Sequence, residues 1–167
     1  MQIGGVTNLG ENTMANDRFV YVTYIRTTPE KLWDALLKPE FTRQYWFGVT
    51  LVSDWKIGGP WKMVLPDGSI VHDGEILDFE PEKRLVFRWR GERSAEIRAE
   101  GFSRCTMEIE EVPSGVKLTV LHEIDRPESK LIEDVSGGWP MILSNLKSLL
   151  ETGGPMAGLL ATSRSAA

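Results

Sequence analysis

Apolar residues along this chain keep different periods in different stretches, and each period predicts a different element. From Phe19 to Ile25 the run Phe-Val-Tyr-Val-Thr-Tyr-Ile is β-branched or aromatic on both phases. That predicts a strand covered on each face or paired centrally in a sheet. Thr27-Thr28-Pro29 ends the strand and opens a helix: Thr28 can accept from an orphan backbone N–H, Pro29 suits the first helical position, and Leu32, Trp33, Leu36 and Leu37 recur at helical spacing. Lys38-Pro39 stops that helix and starts a shorter one to about Trp46, with Phe41, Tyr45 and Trp46 as its apolar side.

Between Gly48 and Asp125 the period falls to two. Short alternating runs are separated by Gly58-Gly59-Pro60, Asp67-Gly68, Glu80 to Lys83 and Pro113-Ser114-Gly115, which predicts an antiparallel meander of about six strands. One phase carries Trp61, Met63 and Leu65, then Leu85, Phe87 and Trp89, then Cys105, Met107 and Ile109, then Leu118, Val120 and His122. The other carries Lys62, Arg88, Arg90, Glu108, Glu110, Lys117 and Glu123, so one face packs and the other meets water. Asp67-Gly68 reads as a two-residue type I′ hairpin, and His72 shares a phase with Ile70 while Asp73 and Glu75 take the other. Val135, Trp139, Ile142, Leu143, Leu146, Leu149 and Leu150 then form a stripe that only a helix keeps on one side, closed by Gly153-Gly154-Pro155. Pro140 within it predicts a kink or a broken first turn near Gly137-Gly138.

The expected organisation is a tail over 1–16, one α+β domain over 17–153 and a second tail over 154–167. Both ends lack periodic apolar residues, and 167 residues suit a single core. The 19 basic and 24 acidic residues leave no electrostatic footprint for nucleic acid or an anionic membrane surface, so neither is expected as a partner. A single cysteine, Cys105, rules out an internal disulfide framework. With only His72 and His122 beside it, no metal site is expected, and no motif calls for a cofactor. No leader-like segment opens the chain, no apolar run approaches the ~18 residues of a membrane span, and the expected setting is a reducing cytosol.

Several short motifs, taken in order, carry a resemblance. They are Thr28-Pro29-Glu30-Lys31-Leu32-Trp33, Pro39-Glu40-Phe41 with Tyr45-Trp46, Gly58-Gly59-Pro60-Trp61, Gly74-Glu75-Ile76-Leu77 with Pro81 and Leu85-Val86-Phe87-Arg88-Trp89, Leu118 to Glu123, and Gly138-Trp139 with Leu143 and Leu146. Over about residues 17–152 the chain resembles the homologues of the activator of Hsp90 ATPase, the AHSA1-like family of the START and Bet v 1-like (SRPBCC) helix-grip superfamily. The resemblance implies a curved antiparallel sheet wrapped around a long C-terminal helix. Between them it implies a mostly apolar cavity, with the two short helices at its mouth. Trp33, Trp46, Trp61, Met63, Phe87, Trp89, Met107, Val120, His122, Trp139 and Leu143 are the residues expected to line it, although large rings at such spacings serve equally as solid core.

Three functions follow from the resemblance. The first is binding of a hydrophobic or amphipathic small molecule. The second is contact with an Hsp90-type chaperone, with a second copy of the chain as a further expected partner. The third is chemistry inside the cavity, as a cyclase, lyase or hydrolase, for which His122 is the candidate catalytic residue. The structural alternatives for His122 are a cap at a strand end or a hydrogen bond to the turn that holds Trp139, and for Cys105 a small buried hydrophobe.

Overall fold

The computed structural model describes residues 16–158. Strand β1 (Asp17–Ile25) leads into helices α1 (Pro29–Leu37) and α2 (Pro39–Tyr45), then β2 (Thr50–Ser53), β3 (Pro60–Val64), β4 (Ile70–Glu80) and β5 (Arg84–Gly91). A five-residue helix α3 (Ala95–Ala99) precedes β6 (Ser103–Val112) and β7 (Gly115–Ile124), and α4 (Lys130–Thr152) completes the order. The seven strands form one antiparallel, curved sheet in the order β1-β7-β6-β5-β4-β3-β2, with α4 across one face. This is the α+β helix-grip architecture.

Local chemistry accounts for the helix boundaries. The Thr28 hydroxyl accepts from the Lys31 N–H (3.2 Å), Pro29 fills the first turn, and Pro39 begins α2 where α1 can no longer continue. Ser129 caps α4 through the Ile132 N–H (3.1 Å), and Gly153, at φ +85°, ends it in the left-handed conformation. The apolar stripe of α4 packs inward from Leu131 to Leu149. Pro140 neither breaks nor delays this helix: α4 starts at Lys130, more than two turns upstream, and runs through Gly137 and Gly138 to Thr152. Burial of Leu131, Ile132, Val135 and Trp139 on one side holds the first turns where propensity alone would not.

Four further expectations differ from the structure. Among the described residues, strand β1 is an edge strand paired only with β7, and Val20, Val22 and Tyr24 project from its outer face, about half exposed. Its alternate apolar residues are surface rather than core. At the hairpin, Leu65 O accepts from the Gly68 N–H and the Leu65 N–H reaches Ser69 O, which encloses three loop residues, Pro66-Asp67-Gly68. Only Gly68 has positive φ, +86°, because Pro66 presets a negative φ at the start of the turn and Asp67 follows it. A register shift between β3 and β4 inserts Val71, so Val71 and His72 are both buried while Ile70 is exposed. Helix α3 carries no periodic apolar pattern and was not anticipated. At the C-terminal end, the Met156 N–H donates to Asn145 Oδ1 (2.6 Å) and Ser148 Oγ to the Gly154 carbonyl (2.9 Å), so 154–156 are tied back to α4. The expected tails over 1–15 and 159–167 lie outside the described residues.

Leu146 is fully buried at the centre of the α4 stripe, whereas Lys147 beside it is half exposed and donates to the Tyr24 carbonyl (2.6 Å). Leu146→Ala is expected to cost about 2–5 kcal/mol through lost transfer energy and a residual void. Lys147→Ala is expected to cost about 1 kcal/mol or less. Urea midpoints of the two variants check the difference.

Candidate functional site

The space between sheet and helix is occupied by rings. Trp61 on β3 lies 4.8 Å from both Phe87 and Trp89 on β5, Trp89 lies 4.9 Å from His72 and from His122, and Trp139 on α4 stands 5.9 Å from Trp89 and 5.3 Å from Trp46. Met63, Met107, Val120 and Leu143 complete the core around them. Of the residues expected to line a cavity, all except Trp33 are at most 4% exposed. The structure therefore brings the predicted residues together, but packed on one another as core.

Gly74 makes part of this packing feasible. The Trp61 indole crosses β4 to donate to the Arg88 carbonyl on β5 (2.9 Å), and a Cβ at Gly74 would collide with that carbonyl.

His122 sits in a directed chain of hydrogen bonds. Trp139 Nε1–H can only donate, and it donates to His122 Nδ1 (3.3 Å), so in the neutral ring the proton lies on Nε2. Nε2–H then points at Ser103 Oγ (2.8 Å), whose own proton goes to the Trp89 carbonyl (2.9 Å). The chain runs from α4 through β7 and β6 to β5, with every member satisfied. Burial lowers the His122 pKa to about 3. A neutral ring with both nitrogens engaged does not serve as a general base near pH 7, and Ser103, which accepts a hydrogen bond from His122, is not activated as a nucleophile. The structural reading of His122 is the one this geometry supports.

His72 is also held neutral, its pKa lowered to about 3 first by burial and then by the Arg93 charge, against a hydrogen bond to the Arg90 backbone that raises it. Unlike His122 it leaves Nδ1 without a partner, as Trp89 leaves Nε1. Cys105 is fully buried, and burial pushes its thiol pKa up, consistent with an inert hydrophobe. Asp73 is a perturbed acid on the polar face. Its carboxyl pKa is raised by burial and then by Glu92, which shares Arg90 with it (3.5 and 2.6 Å). Among the described residues, no three of His, Cys, Asp and Glu come together as metal ligands, and no helix is long and apolar enough to cross a membrane.

Two clefts open at the surface. One, of about 580 Å³, lies between the start of β1 and the start of α4, from Asp17-Arg18-Phe19 to Glu128–Glu133. Two of its carboxylates are engaged within the fold, Asp17 accepting from the Ser129 N–H (2.9 Å) and Glu133 pairing with Lys130 (3.1 Å), and Glu100, from the segment after α3, accepts from Ser129 Oγ and the Lys130 N–H beside it (2.5 and 2.7 Å). The other, of about 550 Å³, lies between α1 and β2 and is lined mainly by Trp33, Leu37, Leu51, Val52 and Trp55, with Asp34, Lys38 and Ser53 at its polar positions.

Trp55 was missed in the sequence because it falls in the loop Ser53–Pro60, on no strand phase. Its φ of +56° is a left-handed conformation for a bulky residue. Ser53 fixes this loop by accepting from the Trp55 N–H (3.0 Å) and donating to the Pro60 carbonyl (2.9 Å). Trp33 and Trp55 both pack on Phe79, at 5.2 and 6.2 Å, and Trp55 reaches Phe87 at 6.4 Å, so the cleft is continuous with the aromatic interior.

Both histidines charge at about pH 3 in the folded chain and near 6.5 when unfolded. The stability they contribute is fully present above pH 6.5 and is lost as the pH falls toward 3, at up to about 1.4 kcal/mol per pH unit for each ring. NMR of the imidazole rings is expected to show no titration between about pH 5 and pH 8. A midpoint between 6 and 7 for either ring would mean that it is solvated.

Comparison with known proteins places this geometry. Protein MLL2253 from Mesorhizobium loti superposes with a TM-score of 0.68 at 24% identity, over 80% of this chain and 96% of that one. The Aha1 dimer from Colwellia psychrerythraea gives 0.66 at 18% identity, over 82% and 98%. CalU16 from Micromonospora echinospora gives 0.66 at 20% identity, over 89% and 82%. These likenesses establish a shared fold. No curated protein matches the chain in sequence. The family described as activator of Hsp90 ATPase homolog 1-like protein matches residues 26–151, from the end of β1 almost to the end of α4. With sheet, grip helix and motifs in register over that span, this chain belongs to the AHSA1-like family.

Proposed function

We propose that the protein binds an apolar or amphipathic small molecule, and that the molecule enters at the cleft between α1 and β2. The observation that carries this reading is the cleft's mainly apolar lining around two tryptophans, in a volume of about 550 Å³. Pockets that hold small ligands run from roughly 300 to 1,000 Å³ and combine apolar walls with a few polar groups. Trp33 and Trp55 offer flat faces, and the Asp34–Lys38 pair (2.8 Å) supplies both charges at the rim. The left-handed backbone at Trp55 supports the same reading, since strain of about 1–3 kcal/mol persists where surrounding structure over-determines it, often at ligand clamps. The interior residues Trp61, Phe87 and Trp89 stand behind this entrance as its packed continuation.

A second reading, contact with another protein chain, is favoured by β1. Among the described residues, Val20 and Val22 are exposed on an edge strand that Lys147 and Glu151 meet at its far end, through the Tyr24 carbonyl and the Arg26 N–H. Either a chaperone or a second copy of the chain suits that edge, and the neighbour from Colwellia psychrerythraea is described as a dimer.

Nile red, a neutral apolar dye, is expected to bind saturably and to quench tryptophan emission. Trp55→Ala is expected to weaken it about two- to tenfold, the equivalent of the ~0.5–1.5 kcal/mol of one aromatic contact. Glu133→Ala, in the polar cleft, is expected to leave the affinity unchanged. Absence of saturable binding to folded protein would overturn the small-molecule reading in favour of protein contact, which sedimentation against concentration then measures.

A further inference from the structure

We infer that β1 is the interface through which two copies of this chain join, edge to edge and antiparallel about a two-fold axis at Val20. The inference rests on the reading of β1 as a contact edge and names a second copy of the chain as the partner.

The two edges of the sheet are built differently. Strand β2 is four residues long, and a short edge strand offers little to pair with. Strand β1 is nine residues long and keeps a continuous register with β7. From Phe19 to Ile25 it carries no charge and no proline, two of the devices that ordinarily keep an edge from pairing. Its outer face presents Val20, Val22 and Tyr24, and its inner face Phe19 and Tyr21, which are only partly buried. Both phases have the composition of a central strand, yet the strand stands at an edge.

Three hydrogen bonds give the direction of each backbone group. The Asp17 N–H donates to the Arg126 carbonyl just beyond β7 (3.0 Å), whereas Lys147 and Glu151 of α4 meet the Tyr24 carbonyl and the Arg26 N–H (2.6 and 2.9 Å). Along an antiparallel strand, alternate residues turn both of their groups to the same side. Asp17, Phe19, Tyr21 and Thr23 therefore face β7. The N–H and C=O groups of Arg18, Val20 and Val22 face outward, without a partner among the described residues.

Pairing about Val20 uses these outward groups and no others. Val20 exchanges a pair of bonds with its own counterpart, and Arg18 exchanges a pair with the counterpart of Val22 on either side of the axis. A register shifted toward Tyr24 would set the Arg18 N–H against the carbonyl that Lys147 already holds. Side chains agree with the same register. Valine meets valine at the axis, and each Arg18 stays beside Glu123 of its own β7, away from the other Arg18. A patch that is complementary to itself under a two-fold makes an isologous dimer, whereas pairing with a foreign strand would need no such symmetry. In the dimer β1 lies at the centre of a continuous sheet, the position its composition suits.

Sedimentation velocity of the full chain across micromolar concentrations is expected to show a monomer–dimer equilibrium. Val20→Lys, at an exposed position, is expected to weaken it about tenfold or more with the circular dichroism unchanged. Cross-linking reads the register, since the native Cys105 is fully buried. Val20→Cys is expected to form an intermolecular disulfide on mild oxidation, because facing residues of a hydrogen-bonded pair lie ~5.5 Å apart at Cα, within disulfide reach. Val22→Cys is expected to form none, its two copies lying about 13 Å apart along the strands. Amide exchange at Arg18, Val20 and Val22 is expected to be slow in the dimer, and fast at Arg18 and Val22 in Val20→Lys. A dimer indifferent to Val20→Lys, or a disulfide at Val22→Cys and not at Val20→Cys, would overturn the inference. A chain that stays monomeric would overturn it too, and exchange then separates it from the wider reading. Fast exchange at the three amides leaves β1 open to a different protein; slow exchange means that the edge is covered within the chain, and that reading falls as well.

Discussion

A single helix covering one face of a seven-stranded sheet is the constraint on which the rest of this structure depends. One helix is narrow beside a curved sheet, and interiors close at crystal-like density, so the remaining volume has to be filled by whatever side chains the strands project inward. Here that filling is aromatic: Trp61, Phe87 and Trp89 from the sheet meet Trp139 from α4 and Trp46 from the end of α2. Gly74 belongs to the same solution, because only a strand residue without a side chain lets the Trp61 indole pass to the next strand. The positions of α1 and α2 follow in turn, since Tyr45 Oη donates to the Ala35 carbonyl and Asn145 Nδ2 to the Tyr45 carbonyl (2.8 and 3.2 Å), fastening both to the grip helix.

Indole and imidazole rings bring polar atoms into the interior, and their satisfaction decides what each can do. The chain from Trp139 through His122 and Ser103 to the Trp89 carbonyl is complete, which makes it a cross-brace between helix and sheet with no capacity left for proton transfer. Trp89, whose carbonyl ends that brace, leaves its own Nε1 without a partner.

Because rings fill the centre, the accessible apolar surface is displaced to the flank, where α1 and the loop after β2 part. Trp55 is held there in a conformation that a free chain would avoid, by a serine two residues earlier. Packing thus connects a surface cleft to a closed core through Phe79 and Phe87, and a ligand bound at the cleft would press on the same rings that hold the grip helix.

The sequence by itself determined the element order, the inward phase of β3, β5, β6 and β7, the caps at Thr28, Pro29 and Gly153, and the family, because periodicity and capping are local properties of the chain. It also put Trp61, Phe87, Trp89 and Trp139 on apolar phases that share one side, without saying which rings touch. It did not distinguish lining from filling, because a tryptophan on an inward phase has the same spacing in either case. Nor did it place Trp55, separate His72 from Ile70, show β1 as an edge, or carry α4 intact through Pro140. Each of these depends on a register shift, a neighbour or a burial partner far away in the chain. The tertiary structure alone decided which ring nitrogens are satisfied, because a hydrogen bond between Trp139 and His122 joins two elements whose separation no local pattern encodes.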